Sequence, residues 1–208
     1  MDINHAPFLI IISSPSGAGK TTLCKKVITN DESIKMSIST TTRAKRLSEV
    51  DSKDYHFISK DKFYNLVATG SFLESATVFG NSYGTLKESV NHILDSNKSV
   101  LFDIDWQGAR QVKENFDPKK IISIFILPPS ISELEKRLKT RALDSEDVVQ
   151  DRMKKALSEI DHFDEYDYVL INDDIEKTFD EILAIINAKK ISLRYCSDIN
   201  KMIKKSFK

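Results

Sequence analysis

Eight consecutive residues carry the clearest chemistry in this chain: Ser14, Pro15, Ser16, Gly17, Ala18, Gly19, Lys20 and Thr21. The apolar run Phe8 to Ile12 precedes them, and Leu23, Val27 and Ile28 follow at helical spacing. A strand, a small-residue loop ending in Gly-Lys-Thr, and a helix form the context of a phosphate-binding P-loop. Gly17 and Gly19 let backbone N–H groups turn inward around an anion, and the helix N-terminus adds free N–H groups of its own. Lys20 then reaches the β- and γ-phosphates of a nucleotide, and the Thr21 hydroxyl is placed to ligate Mg²⁺. Glycine or alanine is usual at the position of Ser14. Serine is small enough to turn there, but it restricts the backbone more than glycine does.

Three further clusters could act on phosphate or base. Arg43 and Arg46 stand three apart behind the hydroxyls of Ser39 to Thr42, and they can converge on one phosphate. Phe72-Leu73-Glu74 places a carboxylate on a short strand, with the hydroxyl-rich turn Gly80 to Thr85 close behind it. Such a pair could read the edge of a base. Asp103 closes the apolar run Ser99 to Ile104. In a P-loop protein, an aspartate there helps to hold Mg²⁺.

The elements that must position these groups are legible as alternating patterns. Phe8–Ile12, Ser99–Ile104, Ile121–Leu127 and Tyr168–Ile171 are apolar without strict alternation, which predicts strands buried on both faces. Ser130 with Glu133 predicts a capping box ahead of Leu134 and Leu138. Asp144 precedes a helical pattern running through Val148, Val149, Met153, Ala156, Leu157 and Ile160, and Ile175, Phe179, Ile182, Leu183 and Ile186 form another stripe. Strands alternating with helices imply an α/β fold with a parallel sheet and right-handed crossovers. From about Met36 to Tyr83 the pattern changes to short strands at Met36–Ser39, Tyr55–Ile58 and Phe72–Val78, with a helix from about Asp61 to Gly70. This reads as an inserted, mainly antiparallel lobe, a natural place for a second substrate.

Bulk properties narrow the field. The chain has 208 residues, 40% hydrophobic and 30% charged, which suits one soluble globular unit. Its formal net charge is +0, so nothing points to a nucleic-acid partner. Cys24 and Cys196 fit no metal-ligand spacing and suggest a reducing compartment, with Cys24 packed as a small buried residue. No apolar run is long enough to span a membrane or to serve as a signal-peptide core, so the expected location is cytoplasmic. The basic stretch Lys201 to Lys208 reads as a solvated helix end.

Taken in order, Ser-x-Thr-Thr-Arg-x-x-Arg, Asp-Tyr-x-Phe, Phe-Leu-Glu, Tyr-Gly-Thr, Asp-Ile-Asp-Trp-Gln-Gly, Leu-Pro-Pro-Ser and Asn-Asp-Asp resemble the signatures of the guanylate kinases, from about Phe8 to Lys190. The resemblance implies a P-loop NTPase-type parallel sheet flanked by helices, a GMP-binding lobe at 36–83, a helical lid at 136–154, and a core made of 1–35, 84–135 and 155–208. It implies an ATP site formed by Ser14 to Thr21 with Thr22 and Asn172. Ser39, Arg43, Arg46, Tyr55 and Tyr83 match positions that hold the GMP phosphate, and Glu74 and Thr85 match the guanine readers. Asp103 and Asp105 match acidic residues between the two nucleotides, with Thr21 and Asp103 holding Mg²⁺, the aspartate through water. Arg137 and Arg141 resemble lid arginines and Arg152 a third arginine near the transferred group; with Lys20 and Arg43 they are the implied catalytic cations. Ser48, Ser52, Ser82 and Ala142-Leu143 depart from common family residues, and none removes a charge that the chemistry needs.

The reaction implied is MgATP with GMP, or dGMP, giving ADP and GDP. An acceptor phosphate with a second pKa of about 6 is already largely ionised at neutral pH, so no general base is required. His56, His92 and His162 then read as packing or surface residues. An ionised Glu74 would accept from guanine N1–H and N2–H₂, whereas adenine presents a bare N1 lone pair there. Two alternatives remain at this level: a non-catalytic guanylate-kinase-like module that binds phosphopeptides, and a P-loop kinase for another phosphorylated metabolite.

Overall fold

The computed structural model describes residues 5–78, 80–141 and 146–192. Its elements begin with β1 (Leu9–Ser13), α1 (Lys20–Asn30), β2 (Ile34–Met36), β3 (Thr40–Thr41), β4 (His56–Phe57) and α2 (Lys60–Ala68). There follow β5 (Phe72–Val78), β6 (Asn81–Leu86), α3 (Lys87–Asp95), β7 (Ser99–Asp103) and α4 (Trp106–Asn115). The chain continues through β8 (Ile121–Leu127), α5 (Ile131–Arg141), α6 (Glu146–Ile160), β9 (Tyr168–Ile171) and α7 (Ile175–Ile191).

Five strands make a wholly parallel sheet in the order β2-β7-β1-β8-β9. The central strand β1 is buried along its whole length. Its even residues Ile10 and Ile12 face the cluster built with Leu23, Val27, Ile182 and Ile186 of α1 and α7. Leu9 and Ile11 face the opposite cluster, with Val90, Ala109 and Val112 of α3 and α4. Burial on both faces explains the lack of alternation in these strands. The chain leaves β1 toward β2 and β7, then returns to its other side for β8 and β9. The resulting switch point opens a crevice at the carboxyl ends of β1 and β7, where the P-loop and Asp103 lie.

The strand at the C-terminal end differs from expectation. Tyr168, Val169 and Ile171 of β9 are exposed, at 42%, 39% and 57%. β9 is the edge of the sheet, with β8 as its neighbour, and Leu170 is its residue packed on the core. An apolar run of this length does not distinguish an edge from a centre. At the other edge, Ile34–Met36 pairs with β7 in the core sheet, so Met36 ends a core strand instead of opening the lobe.

The lobe holds a second sheet, in the order β4-β3-β6-β5. The β3–β6 and β5–β6 pairs are antiparallel, and β3–β4 is parallel. β6 runs unbroken from Asn81 to Leu86, through the expected lobe boundary at 83/84 and across residues that read as a turn. Its partner β5 supplies the order that its Gly-, Asn- and Ser-containing sequence lacks. α2 starts at a Ser59 cap, whose hydroxyl accepts from the Lys62 N–H.

α5 and α6 pack as a pair through Leu134, Leu138 and Ala156. The Ser130 hydroxyl caps α5 by accepting from the Glu133 N–H at 3.1 Å. Glu133 does not complete a reciprocal box; its carboxylate accepts from Arg137 Nε at 3.2 Å. Asp144 and Ala142-Leu143 lie outside the described residues, as do Cys196 and the basic stretch 201–208. Cys24 is fully buried.

Candidate active site

The P-loop wraps the start of α1. Gly17 and Gly19 have φ of 95° and 96°, so the turn demands residues without a Cβ at both positions. Ser14 keeps a negative φ and its hydroxyl donates to the Pro15 carbonyl at 3.0 Å, so the usual glycine is not required there. Asn172, from the end of β9, is 4% exposed, and its Nδ2 donates to the Ala18 carbonyl at 2.7 Å. It thus braces the loop from below. Lys20 Nζ lies 2.7 Å from Asp103 Oδ1 and donates to the Ile104 carbonyl at 3.1 Å. Burial opposes its charge, but the Asp103 carboxylate outweighs this and holds the ammonium above its ordinary pKa. Thr21 Oγ1 donates to Asp103 Oδ2 at 3.0 Å. A hydroxyl and a carboxylate on one side of the loop are hard oxygen donors, as Mg²⁺ requires, and Mg²⁺ commonly takes only one or two protein oxygens beside phosphate and water. Among the described residues no group of three or more His, Cys, Asp and Glu could hold a metal ion alone.

Residues 14–17 and 19–21 and Asp103 line a cleft of about 320 Å³ together with Tyr55, Val78, Asp105, Lys155 and Glu159. Glu159, on α6, accepts from the Ser16 N–H at 3.0 Å, so a carboxylate occupies one of the amides of the P-loop. Burial raises its pKa, opposed by that N–H and by Lys155, whose Nζ is 3.9 Å away. Neither residue was apparent from the sequence. The signal was there in their spacing: Arg152, Lys155 and Glu159 fall on one face of a single helix.

On the lobe side, Glu74 is 4% exposed and Thr85, opposite it in the β5–β6 register, is fully buried. Burial drives the Glu74 carboxyl up to about 7, opposed by hydrogen bonds from Thr85 and assisted by the nearby Asp105. The Thr85 hydroxyl also lies 3.4 Å from that of Ser37 and 3.5 Å from that of Ser39. Nearer the cleft, Tyr55 and Tyr83 meet edge to face at 6.0 Å, and the Arg43 guanidinium stands 5.4 Å from the Tyr55 ring centre. Arg43 donates to both oxygens of Glu49, at 2.7 and 3.1 Å, while the Arg46 N–H donates to the same carboxylate at 2.8 Å. Phosphate-sized anions would have to compete with Glu49 for Arg43.

A guanylate kinase family profile matches residues 7–189. The chain belongs to the guanylate kinase family. It is 47% identical over 189 residues to a guanylate kinase of Paramagnetospirillum magneticum, covering 91% of this chain and 88% of that one. It is 48% identical over 183 residues to one from Cereibacter sphaeroides, covering 88% and 87%. The crystal structure of the guanylate kinase from Anaplasma phagocytophilum superimposes with a TM-score of 0.78 at 34% identity, covering 98% of this chain and 96% of that one.

Against the guanylate kinase pattern, the structure gathers Lys20, Thr21, Asp103, Asp105 and Tyr55 around one cleft. It gathers Ser39 beside the paired Glu74 and Thr85 of the lobe sheet, and Arg43 beside Tyr55, which meets Tyr83. Arg46 is exposed at the rim and Thr22 on the surface of α1. Asp105 caps α4, accepting from the Gly108 N–H at 3.0 Å. Arg137 is held by Glu133 on its own helix, and neither it nor Arg152 lines the cleft in this state. Arg141 ends α5, and its side chain lies outside the described residues. His162 stacks on Trp106 at 3.7 Å and bonds Glu165 at 2.6 Å, which is a packing role. Ser52 has φ of 62°, which explains a preference for glycine at that departure. No helix among the described residues is long and apolar enough to cross a membrane.

Proposed function

We propose that this chain transfers the γ-phosphoryl group of MgATP to GMP, and to dGMP, giving ADP and GDP in the cytoplasm. The observation that carries the reading is the buried Glu74–Thr85 pair in a lobe that shares Tyr55 with the P-loop cleft. Phosphoryl transfer asks little covalent chemistry of a protein, and much positioning and charge. Lys20 and the P-loop amides hold the ATP phosphates, while Arg43, Arg46, Tyr55 and Tyr83 hold the phosphate of GMP. The GMP phosphate oxygen is the nucleophile; its bond to the γ-phosphorus forms as the bond from phosphorus to the β-bridging oxygen breaks, and ADP leaves with that electron pair. Thr21 and Asp103 would hold Mg²⁺, which when bound would neutralise phosphate charge. Lys20 would exchange its present Asp103 contact for phosphate oxygens when the nucleotide enters.

Arg137, Arg141 and Arg152 are assigned to a lid spanning 136–154 that closes on the ATP phosphates, and 36–83 to the lobe that closes on GMP. The non-catalytic module is not favoured, because Lys20 and Thr21 are present and both contact Asp103. The test is to mix the protein with ATP, Mg²⁺ and GMP and to separate the nucleotides by chromatography. GDP and ADP should appear in equal amounts, and chelation of Mg²⁺ should stop both. ADP without GDP would reject the assignment of GMP as acceptor.

A further inference from the structure

Gly108 stands at the third helical position of α4. Glycine is the poorest helix former after proline, and this one has no positive φ to justify it. Its helix therefore gains nothing locally from the missing side chain. The reason lies across the interface. A Cβ built on Gly108 would stand 2.8 Å from Glu74 Oε2 and 3.3 Å from Glu74 Cδ, with Ile104 Cβ at 3.4 Å. The Glu74 carboxylate occupies the space that a side chain at 108 would need.

The strand cannot retreat to make room. One turn further along the same helix face, Gln111 grips the residue after Glu74 in both directions. Its Oε1 accepts from the Ser75 N–H at 3.0 Å, and its Nε2 donates to the Ser75 carbonyl at 2.8 Å. On the other side, the Glu74 carbonyl lies so close to Gly84 that a Cβ there would be 2.9 Å away. With its backbone held by Gln111 and backed by β6, Glu74 can relieve a clash at 108 only by moving its carboxylate.

We propose that Gly108 is a specificity-positioning residue: the bare first turn of α4 is the seat of the Glu74 carboxylate and fixes where the donor edge of guanine must lie. The inference rests on Glu74 as the guanine contact, so the experiment separates the two. In the full chain, Gly108→Ala should raise KM for GMP about tenfold or more and narrow the preference for GMP over AMP, as expected when a buried donor–acceptor match is spoiled. KM for ATP should stay within about twofold, because a Cβ at 108 meets Glu74 and Ile104 and no P-loop residue, and the Gly108 N–H that caps on Asp105 is unchanged by the substitution. Adding Glu74→Asp, whose carboxylate is one methylene shorter, should restore part of the preference to Gly108→Ala, although Glu74→Asp alone weakens it.

A folded Gly108→Ala with unchanged KM for GMP and unchanged preference would overturn the proposal. If Glu74→Gln lost the preference in parallel, the reading of Glu74 would stand and only its seat would be refuted. If Glu74→Gln also kept it, the guanine assignment itself would fall. Should Gly108→Ala alone fail to fold, the double variant with Glu74→Asp must fold; a double variant that is equally unfolded would contradict the seat.

Discussion

In the proposed reaction Lys20 serves phosphate and Glu74 the base, and each assignment makes a separable prediction. Lys20→Ala removes the cation that meets the charge developing on the β- and γ-phosphates. Turnover should drop at least about 100-fold, the scale of losing one preorganised electrostatic contact in a closed site. The melting temperature should change little, because Asp103 keeps Thr21 and some solvent as partners. Parallel rate and melting measurements check both halves. Glu74 adds a pH signature that residue type alone did not announce. The sequence suggested an ionised reader, whereas burial raises the carboxyl to about 7, so the ligand-free site holds a proton near neutrality in much of the population. Guanine donors favour the carboxylate, hence GMP binding should release a proton and strengthen as pH rises through about 7. The folded state binds this proton more tightly than the unfolded chain, so the Glu74 contribution to stability is largest at acid pH and is lost as pH rises through about 7. Glu74→Gln should abolish the proton release, measured calorimetrically in buffers of different ionisation enthalpy, and flatten that part of the stability profile. The comparison also subtracts the titration of the GMP phosphate itself. An unchanged proton count in Glu74→Gln would assign the titration to another group.

At the scale of elements, the P-loop and the β5–β6 hairpin are shaped by contacts that short patterns do not contain. The loop was legible because Gly-x-Gly-Lys-Thr states its own geometry. What the sequence did not reveal is that Asn172 stands where a Cβ on Gly19 would fall, 2.5 Å from its Nδ2. Gly19→Ala therefore meets both a positive φ of 96° and a buried amide. Strain of about 1–3 kcal/mol should tilt the loop away from the phosphate-binding form. KM for ATP should rise about tenfold or more with KM for GMP little changed, read from initial rates with each substrate varied in turn. Arg43 is held in a bidentate pair with Glu49 rather than waiting in solvent. Arg43→Ala should weaken GMP binding and lower turnover with ATP affinity preserved, and titration calorimetry with each nucleotide separates these effects. β6 escaped the sequence reading because Asn81, Ser82 and Gly84 have turn composition, and pairing with β5 overrides local preference. β9 was legible as a strand but not as an edge, since edge status depends on which strands lie beside it.

For the whole molecule, the parallel core was readable from four apolar runs and their intervening helices, whereas the relation between lobe, core and lid was not. Packing of β5 on α4 joins the lobe to the core, and charge should decide how far the proposed lobe and lid close on substrate. Arg43 and Arg46 approach from the lobe, and Arg152 rides on α6 with Lys155 and Glu159. Bringing these cations to one centre without anions would be repulsive, so the empty protein should be the more open form and the two nucleotides together should favour closure. A distance probe between the lobe and α6 should shorten when GMP and a non-hydrolysable ATP analogue are both present; identical distances would mean a preformed site. Above all, the buried edge of the lobe should select guanine for phosphorylation by ATP. This is tested most directly by measuring kcat/KM with GMP, dGMP, AMP, UMP and CMP as acceptors in one coupled ADP-release assay. GMP and dGMP should be used at least about 100-fold better than AMP, UMP or CMP, because the wrong base leaves the buried Glu74 mispaired. Comparable kcat/KM for GMP and AMP, or no ADP release with GMP, would contradict it.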